Sequence, residues 1–148
     1  MRMTNKIFSI WAMIALFCIG VSRPASAEDI LVIVNKVNPV NSLTADDIKR
    51  FYKNIDVSWE WGATVNLFDL PLTNDARRDF SEKLLGKSAM EVATYWANKK
   101  ITNTAKNPPT SLKSETLMLT KVATDAGAIG YVSKSKVNSQ VKVVFVIK

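Results

Sequence analysis

Along the chain, apolar positions alternate between closed runs and helical spacing. The first run, Ile30-Leu31-Val32-Ile33-Val34, is apolar at every position and mostly β-branched. It predicts a strand buried on both faces, as in a sheet covered by helices. Asn35 to Asn41 breaks the pattern at Pro39 and reads as a turn. Ile48, Phe51 and Tyr52 then recur at helical spacing behind a Thr44-x-x-Asp47 variant of the capping box, with Leu43 placed to staple onto Ile48. Asn54 to Gly62 is a loop carrying Trp59 and Trp61. Val65-Asn66-Leu67-Phe68 predicts a second strand, which runs out at Asp69-Leu70-Pro71. A second helix opens at Thr73 or Asn74 and continues to Leu85, where Gly86 stops it. Ser88-Ala89-Met90-Glu91 is a full S-x-x-E capping box and opens a third helix through Trp96.

Lys99 to Pro109 is polar, ends in Pro108-Pro109 and reads as a loop. Ser111 or Ser114 caps a fourth helix carrying Leu117, Met118, Lys121 and Val122, closed by Gly127. Ala128 to Val132 and Val141 to Ile147 are the last two strands. The order β-α-β-α-α-α-β-β predicts an α/β fold, a small three-layer sandwich whose closing strands need not be parallel. With no internal repeat or linker, residues 28–148 read as a single domain.

The segment ahead of the first strand has a different character. Arg2 and Lys6 precede an apolar run from Ile7 to Val21, and Ala25-Ser26-Ala27 follows. A charged start, a short apolar stretch and an A-x-A site are the parts of a secretory signal, expected to be cut after Ala27. The other reading is an uncleaved membrane anchor, but fifteen residues fall short of the roughly 20 that span a bilayer as a helix. Cys18 does not suggest a lipid anchor, because the bulky Phe17 precedes it. The expected product is periplasmic or secreted, with no stable membrane insertion after cleavage.

Cleavage also narrows the available chemistry. The chain has no histidine and its one cysteine is Cys18, so residues 28–148 lack disulfides, the commonest metal ligand and the commonest general base. There is no serine in a nucleophile elbow, no Walker-type phosphate loop and no dinucleotide fingerprint. The Asp46/Asp47 pair sits at a helix start, where capping accounts for it. No enzyme is expected, and nothing asks for a cofactor or metal. Losing Arg2, Lys6 and Arg23 lowers the net charge from +7 to +4. So modest and scattered an excess fits ordinary solubility or an anionic ligand and does not argue for nucleic acid. Trp59 reads as packing against the first helix and Trp61 as either packing or contact. Tyr95-Trp96 reads as core. Lys99, Lys100 and Lys106 read as solvated, or as facing anionic lipid or an acidic partner.

Four segments in order carry a family resemblance. These are Val34-Asn35-Lys36-Val37-Asn38-Pro39-Val40, Leu43-Thr44-Ala45-Asp46-Asp47-Ile48, Trp59-Glu60-Trp61-Gly62 and Asp125-Ala126-Gly127-Ala128-Ile129-Gly130-Tyr131-Val132. Together they resemble the phosphate ABC transporter substrate-binding proteins, and the last is similar to that family's "NPGAIGYV" segment. The resemblance implies a class II periplasmic-binding-protein fold. The length implies one lobe, the second, of a receptor that ordinarily has two, as in short phosphate-binding-like members.

The resemblance also implies a site. The family holds phosphate at a helix start opened by an S-G-T-R-like segment, where free backbone N–H groups, the helix dipole and a guanidinium converge. The matching stretch is Thr73-Asn74-Asp75-Ala76-Arg77-Arg78-Asp79-Phe80, with Arg77 in the arginine position. In one reading Thr73, Asn74 and Arg77 grip a phosphate-like oxyanion and Asp75 accepts its proton. In the other, Thr73 is an ordinary N-cap, Asp75 a dipole partner, and Arg77 and Arg78 a solvated helix face. The glycine that lets an anion approach the backbone is absent, and Asp75 would repel a dianion that carried no proton. Two functions follow: a solute-binding-like domain taking phosphate or a similar oxyanion weakly, for uptake through an ABC permease or for sensing, or a ligand-free interaction module docking on an envelope sensor or porin. Mass spectrometry of the exported protein should find Glu28 at its N-terminus; a chain retaining Met1 would overturn the signal assignment.

Overall fold

The computed structural model describes residues 27–148, so the signal segment, Ala27 apart, lies outside the described residues. The elements are β1 (Ile30–Asn35), α1 (Ala45–Tyr52), β2 (Asn66–Asp69), α2 (Asp75–Asp79) continued by a π-helical turn (Phe80–Leu85), α3 (Ala89–Ile101), β3 (Thr110–Ser111), α4 (Glu115–Thr124), β4 (Ala128–Ser133), a 3-10 turn (Lys134–Lys136) and β5 (Val141–Ile147). They form one five-stranded sheet in the order β3-β2-β4-β1-β5. β2 runs parallel to β3 and β4, whereas β1 is antiparallel to β4 and β5.

Consecutive strand residues face opposite sides of a sheet. Every residue of β1 is buried, so both faces are covered at the sheet's centre. β4 shows what covers them. A Cβ at Gly130 would run into Met118 Sδ of α4, so α4 lies on that face. The next residue, Tyr131, points the other way and stacks on Phe80 with ring centroids 3.9 Å apart, and Tyr52 of α1 meets Phe80 edge-on at 4.9 Å. α4 therefore packs on one face, and α1 with the π turn on the other, giving the three expected layers.

The capping signals are realised in place. Thr44 and Ser88 each close a reciprocal box, with Asp47 and with Glu91 respectively, and Ser114 caps α4. Gly86 ends the second helical segment at φ 70°, a left-handed conformation that costs glycine little. Trp59 is buried, donates from Nε1 to Gly127 O at 2.9 Å and meets Phe51 of α1 edge-on. Trp61, by contrast, stays 43% exposed.

The structure departs from the sequence expectation in three places. The expected single helix from Thr73 or Asn74 to Leu85 is capped by Asn74 and changes to π geometry at Phe80. The wider turn places Phe80, Ser81, Leu84 and Leu85 all in buried positions. α3 runs to Ile101, past Trp96. Thr110 and Ser111 form a short strand beside β2, held further by Leu112 N donating to Asp69 O at 2.8 Å.

The α1 cap should respond to pH. Hydrogen bonds from the Thr44 hydroxyl and backbone hold the Asp47 carboxyl below its usual range. A carboxyl depressed by folding stabilises above its unfolded pKa, and that contribution disappears as pH falls through the lower folded value. Thr44→Ala should cost about 0.5–2 kcal/mol in urea unfolding at pH 7. The difference from the parent should shrink in acid; a penalty that is the same at both pH values would contradict the charge-assisted cap.

Candidate ligand site at the β2–α2 turn

The chain leaves the sheet at Asp69, turns through Leu70 to Asn74 and enters α2. Asp69 is buried, and its carboxylate is saturated. Oδ2 pairs with Arg77 Nη1, while Oδ1 accepts from Leu70 N at 2.9 Å and from the Tyr131 hydroxyl. Arg77 Nη1 also donates to Leu70 O at 3.3 Å, and Tyr52 donates to Phe68 O at 2.8 Å. Burial pulls the Arg77 guanidinium below its ordinary pKa and pushes the Tyr52 and Tyr131 hydroxyls well above theirs. Both tyrosines are therefore neutral donors throughout the physiological range.

The turn separates the four residues expected to act together. Asn74 accepts from Arg77 N at 3.2 Å and is the N-cap, a task that Thr73 does not perform. Thr73, Asn74 and Asp75 line an open groove of about 530 Å³ on the outer side of the turn. Glu28, Asp79 and Glu115 line it too, and Arg78, the one cationic side chain in its lining, is already paired with Asp75 at 2.8 Å and Asp79 at 3.3 Å. Arg77 is not on a solvated helix face. Its side chain is 6% exposed, and it lines a second cavity on the inner side, below α3.

That inner cavity is an open hollow of about 280 Å³, with Leu72, Ala97, Lys100 and Ser111 exposed at its edge. It lies past the end of β2 and beside β3, and open α/β sheets bind ligands in crevices outside the carboxyl ends of their strands. Asp69 and Arg77 form part of its lining, with Trp96 and Lys100 from α3 and Ser111 from β3. Leu70, Leu72, Ala93 and Pro109 make much of the remainder. Two buried donors on these side chains, Arg77 Nε and Trp96 Nε1, have no hydrogen-bond partner. Each such group costs on the order of 1–3 kcal/mol while unmade. Lys100 is exposed and takes part in no ion pair among the described residues. Sequence reasoning had only weak access to this cavity. It marked Trp96 as core and Lys100 as solvated, or as facing anionic lipid or an acidic partner, and nothing in the spacing showed that they line the same hollow as Arg77.

Removing one member of a buried ion pair leaves the other charge uncompensated, at about 3–5 kcal/mol. Arg77→Met should lower stability by about that amount, and Asp69→Asn in the same chain should recover most of it. A double-mutant cycle by urea unfolding checks this; additive losses would show that the pair is not coupled.

No protein-family model matches the sequence, and no curated protein matches it. Among solved structures, the chain is similar to an ABC-type phosphate transport receptor from Vibrio cholerae, with a TM-score of 0.63, 19% identity, and coverage of 79% of this chain and 45% of that one. It is also similar to a phosphate ABC transporter substrate-binding protein from Clostridium perfringens, solved with bound phosphate, with a TM-score of 0.63 and 22% identity over 79% of this chain and 44% of that one. PstS from Borrelia burgdorferi matches at a TM-score of 0.60 and 12% identity, over 79% and 46%. The chain thus spans less than half the length of these receptors. Its fold is the α/β fold of one lobe of a phosphate ABC transporter substrate-binding protein.

Proposed function

We propose that the chain is an exported solute-binding-like domain that takes phosphate or a similar oxyanion weakly and serves uptake through an ABC permease, or sensing. The reading rests on one observation: Arg77 and the unpaired ammonium of Lys100 line one hollow beyond the strand ends. Cationic side chains at such a hollow favour an anion, and hydrogen bonds from an ionised donor to a carboxylate or phosphate are the stronger ones. The fold shared with phosphate receptors supports the same reading.

Of the residues first expected to bind, Arg77 carries the contact in this proposal. Asn74 holds the turn by capping α2. Thr73 and Asp75 face the outer groove, where carboxylates outnumber cations and an anion is repelled. No helix among the described residues is long and apolar enough to cross a membrane. One lobe covers only one side of an ion, so weak binding is expected until a partner or a second copy closes over it.

Phosphate and sulfate titrations of residues 28–148, followed by thermal unfolding and calorimetry, test the proposal. Binding to the native state alone stabilises by about 2.7 kcal/mol at a hundredfold excess over Kd, so saturating anion should raise Tm measurably. Lys100→Glu should abolish the rise, while Asp75→Asn should leave it in place. If neither anion shifts Tm in the millimolar range, the proposal fails. If Asp75→Asn strengthens binding and Lys100→Glu does nothing, the anion sits in the outer groove.

A further inference from the structure

α3 is apolar on two sides. Ala89, Val92 and Trp96 are buried against the body of the domain, as the core side of a surface helix should be. Met90, Ala97 and Ile101 fall within about 40° of one another around the helix axis, on a stripe turned away from that core. They stay in solvent, Met90 at 61% exposure and Ile101 at 81%, the most exposed large apolar side chain among the described residues. Leu72, also exposed, shares the inner hollow with Ala97. Exposed apolar groups gathered in this way mark a contact surface.

Lysines border the stripe. Lys100 lines the inner hollow on one flank of α3. On the other flank Lys53 and Lys87 line a second hollow, of about 220 Å³, with Tyr95, and Lys99 Nζ lies 5.6 Å from the centre of that ring. Beyond the helix, Thr104 N and Ala105 N donate to Lys99 O at 2.8 and 3.1 Å, which folds the chain ahead of Lys106 back on the last turn. None of these five lysines takes part in an ion pair among the described residues. Residues 87–113 hold five lysines against Glu91 alone, a net +4, which is the whole net charge of residues 28–148. The excess that looks scattered along the sequence is therefore gathered around α3.

We propose that α3 is a docking surface for an anionic lipid membrane. Met90, Ala97 and Ile101 enter the headgroup boundary, and the flanking lysines meet the lipid phosphates. An interfacial helix lies in the membrane plane in this way, with its lysines reaching out to the sides. The contact is peripheral, since 13 residues are too few to span a bilayer. Composition selects lipid over protein. Protein interfaces are enriched in aromatic residues and arginine and depleted in lysine, whereas the cations here are all lysines and none of the exposed apolar chains is aromatic. A second copy of the chain is disfavoured by charge, because two such faces brought together set lysines against lysines.

Sedimentation of residues 28–148 with vesicles of mixed phosphatidylglycerol and phosphatidylcholine, against pure phosphatidylcholine, is the test. Lys100, which also serves the anion reading, stays intact in every variant. The protein should bind the anionic vesicles at least about tenfold tighter, and added salt should weaken that binding by screening. Lys99→Ala and Lys106→Ala should each weaken it about fivefold. Ile101→Ser should weaken it severalfold without lowering Tm, since that side chain is already in solvent. Lys121→Ala, on α4 across the sheet, should change nothing. Residues 28–148 contain no cysteine, so Ile101→Cys carries a single polarity-sensitive dye, whose emission should shift to the blue on anionic vesicles. No binding to anionic vesicles at low salt overturns the proposal. So does Lys121→Ala weakening binding as much as Lys99→Ala, which would mean attraction by net charge without a docking face. A dye that does not respond while vesicles are bound would put the contact elsewhere and overturns it too. Binding to poly-glutamate but not to vesicles would assign the face to an acidic protein in place of lipid.

Discussion

The buried pair between Asp69 and Arg77 is the constraint on which the site depends. Two full charges lie within the protein, 5% and 6% exposed, and each must be compensated there. Asp69 meets this with Arg77, the Leu70 N–H and the Tyr131 hydroxyl, so one carboxylate ties the end of β2 to α2 and to β4. Phe80 lies flat on Tyr131 and edge-on to Tyr52, adding an aromatic stack beside it. The same pair decides which way Arg77 faces. Once its guanidinium is committed to Asp69, it cannot reach around the turn to the groove lined by Thr73 and Asp75.

From that commitment follow the two unlike sides of the turn. The outer side has a short helix start, but four carboxylates, of Glu28, Asp75, Asp79 and Glu115, stand around it. The inner side has Arg77, neutralised by Asp69, and an unpaired ammonium, that of Lys100, among mostly apolar walls. At 22% identity or less and under half the receptor length, fold is what the likeness conveys, and the chemistry has to be read from these side chains.

Much of the architecture was legible along the chain. The Thr44/Asp47 and Ser88/Glu91 boxes, the Gly86 stop and the unbroken apolar run of β1 are local signals, and each stands where its spacing places it. What escaped was non-local or too short to have a period. A two-residue strand such as β3 cannot show alternation. The π turn depends on burying both Phe80-Ser81 and Leu84-Leu85, a tertiary demand that helical spacing does not reveal. Arg77 followed by Arg78 reads as a solvated basic face because arginines usually are solvated. Its true partner, Asp69, lies at a strand end, where neither helical nor strand periodicity relates the two. Nor does any spacing show that Trp96 and Lys100 of α3 line one hollow with Arg77.

The same commitment fixes what the rest of Arg77 can do. Its Nη1 is spent on Asp69 and on Leu70 O, and the packing around that pair leaves Nε buried without an acceptor, as Nε1 of Trp96 is on α3. A buried N–H without an acceptor lowers stability, and Asn38 Nδ2 and Ser81 Oγ are in the same state elsewhere in the core. Such atoms are a cost of close packing. Because Asp69 holds the Arg77 charge in balance, the uncompensated charge among the residues lining the hollow is that of Lys100, at its exposed edge. Any attraction of an anion to this side of the turn therefore falls to Lys100, and the buried pair sets the shape of the wall behind it.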